Sequence, residues 1–214
     1  MVVEYLTAEQ LKHLSWEEIG WGYMPPDSGI LEAFSYCQEK YNPKKVLEIG
    51  YYLGHSTTYQ LEIYKDASII GIAPAEDDTD GHAKRRFEKF GIISIDPNNR
   101  KEAHTRMKNK YGDRFEWIVG TSKKTYDKIS MFEFDGALVD GDHREHTATF
   151  DIKMCADFNI PWILIDNYDQ SSVKSAVDNV PAYEVKKVWY YAQVYKQRYR
   201  LNKIALAELK PLLP

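Results

Sequence analysis

From residue 44 onward, short apolar runs alternate with stretches of helical spacing. KKVLEIG (44–50) reads as a short buried strand, and STTYQLEIY (56–64) as a helix opened by Ser56 or Thr57. SIIGIA (68–73) and GIISID (91–96) are strand-like, with a helix over GHAKRRFEKF (81–90) between them. NRKEAHTRMKNKYG (99–112) predicts another helix, stopped by Gly112. RFEWIVG (114–120), FDGALVD (134–140) and PWILID (161–166) predict further strands. Residues 144–158 place Ala148, Ile152 and Cys155 on one helical face. The tail holds two long strand-like runs, 182–191 and 195–209. Ahead of these, residues 1–43 predict a helical segment. It has capping boxes pairing Thr7 with Gln10 and Ser15 with Glu18, a turn at MPPDSG (24–29), and a helix through Leu31, Phe34 and Cys37.

Strands alternating with helices, then two terminal strands with no helix between them, predict an α/β fold. Its sheet should be mostly parallel, with an antiparallel C-terminal edge. The length of 214 residues fits one domain, 1–214, with the core over 44–214. In such sheets ligands sit at the carboxyl ends of the strands. That rule singles out Glu48-Ile49-Gly50, Asp96-Pro97, Asp140-Gly141-Asp142-His143 and Asp166-Asn167.

Composition narrows the function classes. A net charge of −4 argues against a general nucleic-acid binder. Two cysteines, Cys37 and Cys155, make no disulfide framework. The N-terminus lacks the basic and apolar regions of a signal peptide, and no apolar run approaches the roughly 20 residues of a membrane span. The expectation is a soluble cytoplasmic protein with no membrane partner. The Tyr-rich tail (Tyr183, Tyr190, Tyr191, Tyr195, Tyr199) belongs to the edge strands, where a homodimer could form.

Two stretches carry candidate chemistry. In EIGYYLGHST (48–57), Gly50 permits a tight turn and Gly54 leads into a helix whose first N–H groups are free. The spacing is neither GxGxxG nor a P-loop. In ALVDGDH (137–143), an apolar strand runs into two carboxylates and an imidazole. Asp166 and Asn167 end the next strand. Two carboxylates and an amide oxygen brought together form a hard oxygen site of the kind that suits Mg²⁺. Without a cation, carboxylates so close would raise one pKa and cost stability.

VLEIGYYLGHST (46–57) resembles motif I of the class I S-adenosylmethionine (SAM) methyltransferases. The resemblance implies a Rossmann-like, doubly wound, seven-stranded sheet. It also implies that the loop around Glu48, Gly50, Tyr51, Gly54 and Ser56 wraps SAM, with His55 lining the pocket. Residues 92–122 resemble the family's second strand, helix and third strand. Asp96 would then hold the ribose hydroxyls, with Gly120, Thr121 and Ser122 near the adenine. The usual spacing would instead end the second strand at Ala73. Either 68–90 is an insertion, or Glu76 or Asp77 holds the ribose.

Asp140 together with Asp166-Asn167 resembles the metal-dependent O-methyltransferases, of the catechol and sugar O-methyltransferase kind and methyltransferase family 24. MPPDSGILEAF (24–34) is similar to a segment ahead of their motif I. The resemblance covers about 24–169, apart from 65–91. It implies Mg²⁺ on Asp140, Asp166 and Asn167, Asp140 also beside the cofactor, and a small-molecule hydroxyl as acceptor. His143 stands where the catechol enzyme has a lysine, which makes imidazole the general base. Asp142 would either orient His143 or support the metal ligands from behind, and His146 is a weaker base candidate. The rivals are a methyltransferase acting on nitrogen or protein, and a binding module that has lost SAM. VDGDH, standing where a base N-methyltransferase carries Asn/Asp-Pro-Pro-Tyr/Phe, speaks against the nucleic-acid branch.

Overall fold

The structure is a computed structural model and describes residues 29–51, 54–74, 97–195 and 198–210. Its element order is α1 (Gly29–Tyr41), β1 (Lys45–Ile49), α2 (His55–Ile63), β2 (Ser68–Ala73), α3 (Pro97–Tyr111), β3 (Phe115–Val119) and α4 (Ser122–Ile129). There follow β4 (Gly136–Val139), α5 (Glu145–Asp157), β5 (Trp162–Ile165), α6 (Ser171–Asp178), β6 (Tyr183–Tyr195) and β7 (Arg198–Leu209). The seven described strands form one sheet in the order β3-β2-β1-β4-β5-β7-β6. The first five pair in parallel, and β7 pairs antiparallel with both β5 and β6. The doubly wound sheet with an antiparallel edge is the architecture that the alternation of elements predicts.

Side-chain alternation on the strands builds two cores. Val46 on β1, Ile69 on β2 and Leu138 on β4 face α1, α2 and α3, where Phe34, Tyr59 and Tyr64 pack. Leu47, Ile70 and Ala137 face the other way, onto Ile129, Ile152 and Val173 of α4, α5 and α6. β4 and β5 are buried along their whole length, as central parallel strands covered on both faces must be.

Three local readings change. α2 is capped by Gly54 in the left-handed region, not by a hydroxyl of Ser56 or Thr57. The strand beside β1 is Ser68–Ala73, paired Lys45↔Ser68 through Ile49↔Ile72. The second-strand place therefore belongs to β2, and 68–73 is part of the sheet rather than an insertion ahead of it. Two short helices, α4 and α6, went unread in the sequence. The readings over 1–28 and 75–96, including Asp96, Glu76 and Asp77, lie outside the described residues. No helix among the described residues is long and apolar enough to cross a membrane.

Candidate active site at the carboxyl rim of the sheet

β1, β2, β3, β4 and β5 run in parallel, so the residues that follow them share one rim. The glycine loop begins where the Gly50 and Tyr51 N–H groups both donate to the Ile72 carbonyl, at 2.9 and 3.1 Å. Gly50 has φ 107°, and a Cβ there would lie 1.9 Å from the Asp140 carbonyl oxygen. The β1 and β4 loops cross in contact at this point, and only glycine fits.

Glu48 lies below the loop with no exposed surface. Thr57 donates to its carboxylate at 2.5 Å, Gln60 at 3.1 Å, and Ser56 also donates. Burial pushes Glu48 up to about 7 against the opposing pull of these three donors. Glu48 and Ser56 thus brace the loop from beneath. The Tyr51 ring is also spent internally. It packs 5.0 Å from the Phe115 ring and 5.8 Å from that of Trp117, over space that Gly71 leaves open. What Tyr51 can offer a cofactor is backbone. His55 is buried, and its desolvation lowers it to about 4, so it stays neutral.

Beyond β3, the Gly120 N–H donates to Ala73 at 2.8 Å, tying the β2 and β3 ends together. Thr121 caps α4 by accepting from the Lys124 N–H at 3.3 Å. Ser122 donates to Asp151, a buried carboxylate of α5 that burial raises to about 7. The three residues read from the sequence as adenine neighbours do sit together at the rim, and two of them hold its backbone in place.

The acidic end gathers what its sequence promised. One ligating atom from each of Asp140, His143 and Asp166 lies within 4.8 Å of the others. Asp166 is 5% exposed, whereas the Asp140 and His143 side chains keep 22% and 34% of their surface. Burial raises Asp140 to about 7, with a hydrogen bond from Asp166 pulling the other way and the Glu48 charge adding to the rise. Burial and the neighbouring Asp140 push Asp166 well above the usual carboxylate range. Asn167 takes the left-handed conformation, φ 51°, and is nearly buried. The Tyr191 hydroxyl donates to Asp166 at 2.6 Å and accepts from Asn167 Nδ2 at 3.2 Å.

His143 turns Nε2 toward Asp140, 3.6 Å away, and Nδ1 toward Gln170, 3.4 Å away. Asp142 pairs with Arg144 through backbone and guanidinium, which, against the raising effect of burial, holds its carboxyl below the usual range, with the neighbouring His143 adding to the lowering. His146 is exposed. Tyr191 went unread in the sequence as a site residue. Its signal was the two-residue alternation of β6, where Trp189 and Tyr191 face inward and Tyr190 outward.

The donor set fits a hard divalent cation. Burial raises both carboxylates and Asp140 raises Asp166 further, a load that a cation between them would relieve.

A family model described as methyltransferase domain matches residues 47–168. No curated protein matches the sequence. Among solved structures, an O-methyltransferase from Bacillus cereus in complex with SAH aligns with a TM-score of 0.60 at 14% identity. The alignment covers 95% of this chain and 90% of that one. Cofactor-bound Rv0187 from MTB aligns at 0.59 and 16%, over 90% and 84%. The O-methyltransferase TomG from Streptomyces achromogenes, involved in tomaymycin synthesis and solved with SAM, aligns at 0.53 and 14%, over 95% and 87%. At these identities the likeness is one of fold.

Proposed function

The chain belongs to the methyltransferase-domain family matched over its residues 47–168, and from that premise we propose that it is a SAM-dependent O-methyltransferase acting on a small-molecule hydroxyl with Mg²⁺ assistance. The observation that carries the reading is the convergence of Asp140, His143 and Asp166 beside the glycine loop. Two of the aligned structures are O-methyltransferases solved with SAM or SAH, which supports the same cofactor here.

Asp140, Asp166 and the Asn167 amide oxygen would hold the cation. Bound SAM supplies an activated methyl on its sulfonium, and Mg²⁺ supplies the charge that makes a neighbouring hydroxyl more acidic. The chain's own residues do the rest. The glycine loop from Gly50, braced by Glu48, fixes the cofactor against the ends of β1 and β4. His143 is partly exposed on the solvent side of the carboxylates and takes the proton from the acceptor hydroxyl. With the cofactor bound, the methyl would pass to the oxygen that His143 deprotonates, with SAH as the leaving group. Well-oriented groups of this kind can lower a barrier by roughly 7–11 kcal/mol.

Ala73 ends β2 without a carboxylate, so the ribose hydroxyls take their acceptor from further along. With Ser68–Ala73 as the second strand, we assign that role to Glu76 or Asp77, the acids that follow β2 in the sequence, with Asp96 as the alternative. Substituting the ribose acid by Ala should weaken SAH binding by about 1–3 kcal/mol; unchanged affinity in both Glu76→Ala and Asp77→Ala, with a loss in Asp96→Ala, reverses the assignment.

The cluster geometry also supports His143 as a third cation ligand. The two roles separate cleanly, because a ligand is needed for cation binding and a base is not. The overall reading is tested by following SAM consumption over a panel of catechols, sugars and other hydroxyl compounds. Turnover that stops with EDTA and returns with Mg²⁺ supports it, and turnover indifferent to EDTA rejects the cation.

A further inference from the structure

The Tyr191 hydroxyl stands at the centre of a buried polar group contributed by three strands. It donates to Asp166 at 2.6 Å, accepts from Asn167 Nδ2 at 3.2 Å, and accepts from Asn202 Nδ2 at 3.4 Å. Tyr191 is 2% exposed and Asn202 1%. Tyr191 lies on β6 and Asn202 on β7, directly opposite each other in the antiparallel pair, while Asp166 and Asn167 follow β5.

A phenol has one proton to give. A carboxylate that holds a cation is ionised and can only accept, so the Tyr191 proton goes to Asp166. The phenol oxygen can then only accept, and each amide must meet it through nitrogen. For Asn167 this fixes which end of the carboxamide faces Tyr191, and the amide oxygen takes the other branch. The Asn167 backbone takes the left-handed region at φ 51°, which asparagine tolerates, so the hydrogen bond to Tyr191 is what selects the amide end.

Resting on the cation reading above, we propose that Tyr191 is a positioning residue for the cation site. Its hydroxyl orients the Asp166 carboxylate and selects the Asn167 amide end, so that an oxygen rather than an NH₂ group is offered to the metal. The β6–β7 hairpin is thereby part of the site although it contributes no ligand.

The test is Mn²⁺ binding to the full-length protein by electron paramagnetic resonance, with SAH affinity and the far-UV circular dichroism spectrum measured alongside. In the wild type, Mn²⁺ should bind. Tyr191→Phe keeps the ring and removes the hydroxyl, and should weaken Mn²⁺ binding about 10–100-fold while moving SAH affinity less than about twofold. Asn167→Asp offers oxygen at either end, so Tyr191→Phe should cost clearly less in that background, a coupling that a merely structural residue would not show. Equal Mn²⁺ affinity in wild type and Tyr191→Phe overturns the proposal, and so does the same loss in both backgrounds. An equal loss of Mn²⁺ and SAH binding in Tyr191→Phe also overturns it, by making the hydroxyl a general prop. A wild type that binds no Mn²⁺ rejects the cation reading on which the proposal stands, and is distinguishable because it fails before any substitution is made.

Discussion

Two buried acidic centres sit at the same rim of the sheet. Glu48 is enclosed under the glycine loop, and three side chains of one helix give it hydrogen bonds. Asp140 and Asp166 face each other instead, and among the described residues Tyr191 and the Asn167 backbone N–H are the donors turned toward Asp166. Burial raises both centres. At Glu48 the donors pull against the rise, whereas at Asp166 the neighbouring carboxylate adds to it. A carboxylate supplied with neutral donors is a structural brace. A pair of carboxylates facing each other at a partly open rim is what the proposed cation site needs.

Substitutions should separate the two centres. The largest effect is expected at Asp166→Ala. Mn²⁺ or Mg²⁺ binding should fall by more than the roughly 100-fold typical of losing an outer partner, while SAH affinity stays near that of the wild type. Loss of SAH binding as well would show that the centres are not independent. His143→Ala should lower turnover about 10²–10⁴-fold with cation affinity preserved. If cation affinity falls with it, His143 is a ligand.

The pH dependence sharpens the contrast further. Glu48 and Asp140 are both raised to about 7 from values near 4 in the unfolded chain. The folded state therefore holds protons that the unfolded chain has released. Its stability is complete below about pH 4 and declines as pH rises through about 7. For Glu48 the rise from 4.5 to about 7 corresponds to up to about 3 kcal/mol. Thermal unfolding between pH 5 and 8 should show this loss. Glu48→Gln should remove its share, and Mg²⁺ at pH 8 should restore the share of Asp140 and Asp166 only. Restoration of the whole loss by Mg²⁺ would make Glu48 part of the cation site.

The smallest effect is expected at Thr121→Ala. Losing the α4 cap should cost about 1 kcal/mol in stability by denaturant unfolding. A loss of SAH affinity larger than that would add a direct cofactor contact to its capping role.

The strands were legible because burial on both faces leaves continuous apolar runs, as in WILI of β5. The acidic rim was legible because charged residues directly after such runs have few structural reasons to be there. α4 was not legible. SKKTYDKI is short and mostly polar, and it buries only Ser122, Thr125 and Ile129. Ser56 and Thr57 look like caps in the sequence because capping is local, while their partner Glu48 lies at the end of a strand. Asp142 beside His143 invites pairing, yet Arg144 offers it full charge at closer range. Tyr191 was lost among the many tyrosines of the tail, since its role depends on β7 inserting between β5 and β6.

The most direct test of the account is a calorimetric titration of the protein with SAH, in the presence and absence of Mg²⁺. Saturable binding in both conditions is the predicted result, because the glycine loop is held by backbone contacts and by Glu48 rather than by a cation. Absence of binding in both conditions would contradict the account, leaving a methyltransferase fold without its cofactor and Asp140, His143 and Asp166 as a bare cation site.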